Sequence, residues 1–187
     1  RLTHKDSHKL KVKGWKKTFY ANGHQKWAAV AILTLDKNFK ATVLKKEKEG
    51  HYITIKGLVQ HENITILNIY ALNTGASRFI KQILLDLWKR IDSNTIIVED
   101  FNTPLTALDR SSRENIKKET LDANWTVDQM DLTDIYRAFY SLAAVHIFFS
   151  TAQGEFSRIN YMLGYKASLN KFMIQGLYQI SFLPTIA

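Results

Sequence analysis

Between Ile64 and Asp100 the hydrophobic period changes twice, and this constrains the fold more than any other feature of the chain. Ile64-Thr65-Ile66-Leu67-Asn68-Ile69-Tyr70 is a β-branched run of strand length. From Phe79 the apolar residues Ile80, Ile83, Leu84, Leu87, Trp88 and Ile91 recur at helical spacing, with Ser77 as N-cap and Lys89-Arg90 in the last turn. A second strand, Ile96-Ile97-Val98, then runs into Glu99-Asp100-Phe101-Asn102 and is stopped by Thr103-Pro104. Strand, helix, strand in that order sets helices against a sheet and predicts a layered α/β architecture.

The flanking sequence extends this pattern. Residues 28–35 form an apolar run of strand length. Residues 52–59 are rich in β-branched and aromatic side chains and pair antiparallel with 64–70 across the polar turn Gln60-His61-Glu62-Asn63. Residues 112–123 are polar and helix-compatible, and 133–140 read as a short second helix. Residues 145–150 and 156–162 read as two strands around Gln153-Gly154-Glu155, and beyond Gly164 the signal fades.

Composition bounds the class. With 187 residues, 45% of them apolar, the chain can bury one sizeable core, and residues 1–187 are expected to form a single domain. The absence of cysteine excludes a disulfide framework, a thiolate metal site and a cysteine nucleophile. No apolar run approaches the roughly 18 residues of a membrane span, and Arg1 to Asp6 do not form a signal peptide. The expected location is intracellular, nuclear or cytoplasmic, and the sequons at Asn63 and Asn124 are read as chance matches. A start without Met suggests a piece of something longer. The net charge of +9 is concentrated: residues 1–50 hold 13 Lys and Arg against 4 Asp and Glu, and the remainder is balanced at 13 each. Such a basic field suits a polyanion such as nucleic acid, and equally a solvated lysine-rich surface.

At the end of the Ile96–Val98 strand, alternation lets Asp100 and Asn102 share a face while Phe101 turns into the core. A carboxylate that accepts a proton from water, beside an amide that orients the water or a phosphate oxygen, meets the needs of phosphodiester cleavage. The same D-x-N pattern also serves as an ordinary turn after a strand. From these residues alone, both readings stand.

Taken in order, NIYALNTG (68–75), VEDFNTPL with LDR following (98–110), LTDIYR (132–137) and FFS...FSRINY (148–161) form a series. The series resembles the endonuclease domain of mammalian long interspersed nuclear elements, a retrotransposon branch of the endonuclease/exonuclease/phosphatase superfamily, whose fold is DNase I-like. KEGHYITIKG (48–57) and RFIKQILLDL (78–87) extend the similarity, which is colinear to about residue 172. The resemblance implies a four-layer α/β sandwich of two mixed sheets with outer helices, and a site along one edge. It further implies a monomer that acts on DNA, using Mg2+ to nick one strand at T-rich/A sites and so prime reverse transcription, with no membrane partner.

By the same resemblance, Asp100 and Asn102 activate the attacking water and orient the phosphate, and the Tyr70 hydroxyl meets the scissile phosphate. Asn73 and Arg110 contact DNA, and the loop holding Gln153, Gly154 and Glu155 enters a groove. From the residues themselves, Tyr70 also reads as a half-buried strand tyrosine, and Arg110 as a partner of Asp109. The departures are as specific as the matches. Arg1-Leu2-Thr3 aligns just after the family's magnesium-binding Glu, so the chain lacks that Glu and the N-terminal strands before it. A second aspartate falls on Asn160, a threonine falls on Ile147, and the closing Ser-Asp-His falls on Leu183-Pro184-Thr185. The expectation is an endonuclease-like domain that is inactive or nearly so. Alternatives are a non-catalytic nucleic-acid-binding remnant, a relic without selected function, and, less favoured by the T-D-I-Y-R stretch, a phosphatase acting on lipid or inositol phosphates.

Overall fold

The antiparallel pairing expected of residues 52–70 is present and anchors the larger of the sheets. The computed structural model describes residues 17–22, 29–34, 40–59, 61–71, 74–101, 104–106, 109, 116–139, 148–150, 155–158 and 160–174. Its strands are β1 (Lys17–Asn22), β2 (Ala29–Thr34), β3 (Ala41–Lys46), β4 (Tyr52–Val59), β5 (Glu62–Tyr70), β6 (Thr95–Asp100), β7 (Leu132–Asp134), β8 (Phe148–Ser150), β9 (Glu155–Ser157) and β10 (Asn160–Tyr165). Its helices are α1 (Ala76–Leu87), continued by a short 3-10 turn at Trp88–Arg90, α2 (Lys118–Gln129), α3 (Ile135–Phe139) and α4 (Leu169–Ile174), preceded by a 3-10 turn at Lys166–Ser168. Six strands form a mixed sheet in the order β3-β4-β5-β6-β10-β7, while β1-β2 and β8-β9 form two-stranded sheets. The layered α/β architecture predicted from the changes of period is therefore observed.

Two compact units divide the chain: residues 1–70, 94–98 and 179–187 form one, and 71–93 with 99–178 form the other. In the first unit, β4 and β5 pair from Tyr52↔Ile69 to Val59↔Glu62, so Glu62 and Asn63 belong to the strand and not to the turn expected of them. His61 takes a left-handed φ of 69°, which a tight hairpin turn requires of its central residues. Antiparallel β3 joins the other side of β4 with a bulge between Val43 and Lys45. One face of this sheet is apolar. Ile53 and Ile55 are fully buried with Ala21 and Val30 of the β1–β2 hairpin, flanked by Phe19, Ile32, Val43, Val59, Ile66 and Tyr70. Complete burial of each such aliphatic side chain is worth about 1.5–3 kcal/mol, which makes this face the stabilising centre of the unit. Asn68 crosses between the layers and donates from Nδ2 to the Ala31 carbonyl at 3.0 Å.

In the second unit, α1 buries Ile80, Ile83, Leu84 and Leu87, the stripe read from sequence. Its start differs from the expectation. Gly75, at φ 74°, precedes the helix, and Ser77 lies inside it, buried, with its hydroxyl 3.1 Å from Thr120 Oγ1 of α2. Ser77 is therefore a helix-to-helix contact and not the N-cap. Helix α2 begins at Lys118, so only the second half of the polar 112–123 stretch is described as helical, and the helix runs on to Gln129. The expected helix at 133–140 is shorter: Thr133 and Asp134 pair in β7 before α3 starts at Ile135. The 145–162 hairpin resolves into β8 and β9, paired from Phe148↔Ser157 to Ser150↔Glu155, with Glu155 in the strand and not in the turn; Asn160 opens a separate strand, β10.

Gly164 in β10 is required by a close approach. A Cβ added there would stand 2.6 Å from Phe172 Cε2 of α4 and 2.9 Å from Ile135 Cδ1 of α3. Gly164→Ala is therefore expected to cost about 1–3 kcal/mol through overpacking. Chemical denaturation would measure it, and a neutral substitution would show that both side chains yield freely.

Candidate functional site

The β5–α1–β6 crossover builds the site from below. Thr65 N–H donates to the Asn94 carbonyl at 3.0 Å, and Ala71 N–H donates to the Asp100 carbonyl at 3.1 Å. The partner advances in step with the strand, so β5 and β6 run parallel, and ligand sites in such sheets gather outside the carboxyl ends of the strands. Asp100 is the last residue of β6 and is half-buried; Tyr70 is the last residue of β5.

Alternation sorts the residues of β6. Ile97 and Glu99 point to one face, Ile96 and Asp100 to the other. Phe101 follows, fully buried, with its ring edge-on to Tyr161 at 4.9 Å and 74°, so the expected turn of Phe101 into the core is observed. Glu99 is only 1% exposed, and among the described residues neither carboxylate oxygen has a hydrogen-bond partner. Burial pushes its pKa well above the ordinary carboxylate value. The two adjacent acids thus sit back to back, and Glu99 cannot serve the face that Asp100 serves.

The chain beyond Asp100 is held by a buried polar network, all of it within the second unit. Asp109, 1% exposed, accepts from Thr106 N–H at 2.9 Å and Thr106 Oγ1 at 2.7 Å through Oδ2, and from Arg137 Nη2 at 2.7 Å through Oδ1. Its carbonyl accepts from Arg158 N–H at 2.8 Å. The guanidinium of Arg158 pairs with Asp134 Oδ2 at 2.5 Å and lies over the rings of Tyr136 and Tyr161, 5.3 and 5.0 Å from their centroids. Burial works against the charge of Arg158, but the hydrogen bond and charge of Asp134 outweigh it and hold its pKa above the ordinary value. Asp134 Oδ1 accepts from Tyr136 N–H at 3.0 Å and caps α3. Tyr161 Oη accepts from Leu105 N–H and donates to the Arg158 carbonyl, both at 2.8 Å. Burial drives the Tyr161 phenol far above its usual pKa, so it stays a donor.

This network ties the segment after Asp100 to the start of β10, where Asn160 stands half-buried, and β10 is the neighbour of β6 in the sheet. Asp100 and Asn160 are thus placed at the ends of adjacent strands, the two positions where the sequence expects the water-activating acid and the altered second aspartate. Tyr70 belongs to the first unit, where its ring packs against the apolar cluster. Among the described residues the guanidinium partner of Asp109 is Arg137; the pairing with Arg110 considered from sequence lies outside the described residues. Asn102, Asn73, Arg110, Ile147, Gln153, Gly154 and the 183–185 triplet lie outside the described residues; Glu155 is in β9, with only its backbone described.

Magnesium needs oxygen ligands, supplied in nucleotide-handling sites by one or two carboxylates together with substrate phosphates. Among the described residues no group of three or more His, Asp or Glu gathers. Asp100 offers one carboxylate, Asn160 offers a neutral amide, and Glu99 faces away. The described residues do not by themselves fit the ion.

No protein-family model matches the chain. Solved structures do. The endonuclease domain of TRAS1, a telomere-specific non-LTR retrotransposon, superposes with a TM-score of 0.66 at 14% identity, covering 85% of this chain and 70% of that one. AP endonuclease LMAP from Leishmania major gives 0.64 at 15% identity over 89% and 67%, and the Xenopus laevis APE2 catalytic domain gives 0.62 at 15% over 85% and 68%. The chain has a DNase I-like fold. The fold expected from the resemblance to retrotransposon endonucleases is therefore confirmed in its class, and the DNase I-like neighbours include a retrotransposon endonuclease domain. Among the described residues no helix is long and apolar enough to cross a membrane. Sequence reasoning missed the buried network, although Asp109 lies in the quoted LDR segment and Asp134, Tyr136 and Arg137 lie in LTDIYR. The available signal was Asp134 and Arg137, set among Leu132, Ile135, Tyr136, Ala138 and Phe139.

Proposed function

We propose that this chain is a retrotransposon-derived, DNA endonuclease-like domain whose catalytic power is much reduced. The observation that carries the reading is the placement of Asp100 at the end of β6 with Asn160 opening the adjacent strand of a DNase I-like sheet. In the intact reaction a magnesium ion helps to nick one DNA strand at T-rich/A sites. Here Asp100 keeps a proton acceptor, with Asn102 beside it in sequence to orient water or phosphate, but Asn160 can neither accept a proton nor carry charge. Loss of one acid/base group typically costs on the order of 10²–10⁴ in rate. Supercoiled plasmid incubated with Mg2+ is the test. The expected result is nicking at or near background, with Asp100→Ala indistinguishable from the parent. Robust nicking that disappears in Asp100→Ala would refute the impairment.

A second reading, DNA binding without cleavage, is supported by the basic surplus in residues 1–50. Retention of duplex DNA that weakens steeply with salt, without nicking, favours it. Absence of binding at low salt points instead to a relic.

A further inference from the structure

We propose that Arg137 is a phosphate anchor for a nucleic-acid backbone, presented by the buried carboxylate of Asp109. The proposal rests on the nucleic-acid reading above and deepens it by naming a contact on the segment that carries Asp100.

The argument begins with donors. A guanidinium has five N–H donors in a rigid planar fork. In Arg137 one from Nη2 goes to Asp109 Oδ1 at 2.7 Å and one from Nη1 goes to Thr106 Oγ1 at 3.2 Å. Among the described residues the other three are unclaimed. The side chain of Arg137 is 32% exposed, whereas that of Asp109 is 1% exposed. One edge of the fork is therefore fixed on a buried acid and a threonine hydroxyl, on a side chain that is about a third open to solvent.

A mobile surface arginine loses much side-chain entropy when it binds a phosphate, and this one is already oriented. Asp109 balances the charge, so Arg137 adds little to the long-range field. What it offers is directional: two parallel N–H donors matched to the oxygens of a phosphate.

The position also fits. Asp109 shapes the turn from Thr106, in the segment that follows Asp100, and its carbonyl receives the amide of Arg158, two residues before Asn160. A phosphate held at Arg137 would lie along the polypeptide that joins the two ends of the candidate site. The competing reading is an ion pair that only stabilises the loop. That role would alter unfolding but would leave the salt dependence of DNA binding unchanged.

The experiment is a fluorescence-anisotropy titration of the full chain with a labelled 20-base-pair duplex at several salt concentrations, with circular dichroism to confirm folding. Each phosphate contact contributes a slope of roughly 0.9 in log K against log salt. Arg137→Gln is expected to reduce the slope by about that amount and to weaken binding about tenfold at low salt. Arg137→Lys keeps the charge but not the fork, so it is expected to keep the slope and still lose affinity; it serves if the Gln variant does not fold. A folded Arg137→Gln with the parental slope, or an Arg137→Lys with parental affinity, overturns the anchor while leaving DNA binding intact. If the parent itself shows no salt-dependent binding, the nucleic-acid reading fails and the anchor fails with it.

Discussion

Arg158→Met is expected to destabilise the chain by about 3–5 kcal/mol, the range for removing one member of a buried ion pair. Arg158 is 5% exposed, its guanidinium lies 2.5 Å from Asp134, and it is covered by Tyr136 and Tyr161. Methionine fills much of the space, so the loss comes mainly from the Asp134 carboxylate left charged without its partner. For a chain of this length the change corresponds to a fall in Tm of roughly 10 °C. Adding Asp134→Asn removes the stranded charge while keeping an oxygen to cap α3 at Tyr136. The double variant is therefore expected to recover most of the loss. Urea denaturation of the two single variants and the double variant closes the cycle. A single-variant effect below about 0.5 kcal/mol, the level of an ordinary surface change, would show that the pair is not buried as described.

The second large effect concerns Glu99 and has the opposite sign. With the residue 1% exposed and both oxygens unpartnered among the described residues, burial raises its folded-state pKa above the unfolded value. Below the unfolded pKa both states carry the proton, and the folded state has its full stability. As pH rises through the interval up to the folded pKa, the unfolded chain releases the proton and the folded chain retains it, so stability falls. Glu99→Gln cannot titrate. The variant is expected to gain on the parent steadily as pH rises above the ordinary carboxylate range, by about 1–3 kcal/mol near neutrality. Glu99→Met, which also removes the polar atoms, should gain at least as much. The check is the difference in stability between parent and variant across pH, in which the other titrating groups cancel. A difference that does not change with pH would mean that Glu99 is paired or hydrated.

How much of this was legible beforehand follows from which forces act locally. The β4–β5 hairpin, α1 and β6 were readable because each carries its own period, and Asp100 was found because a strand of Ile and Val delivers it to an end. Helix α2 was misplaced for a physical reason. Its buried face is Thr120, Ala123, Thr126 and Val127, whereas Leu121 and Trp125 are exposed, so hydrophobicity marks the wrong side. Ser77 looked like a cap because capping is a local rule, yet its hydroxyl is used 43 residues away at Thr120. The Asp109–Arg137 and Asp134–Arg158 pairs span 28 and 24 positions, and nothing in the composition of a short window could have joined them. In the candidate site, the strand end that carries Asp100 was legible, but the scaffold that ties its segment to the start of β10 was not.

The network has a consequence for how this molecule responds to its medium. Arg158, Asp134, Asp109 and Arg137 carry two charges of each sign, and the first three are largely withdrawn from water. Dissolved ions screen exposed charges over a Debye length of about 10 Å at 0.1 M, but they reach buried pairs far less. A rise in ionic strength should therefore screen the exterior charges while the pairs behind Asp100 hold. Ionic strength then acts as a one-sided control, screening the outer charges without loosening the buried ones.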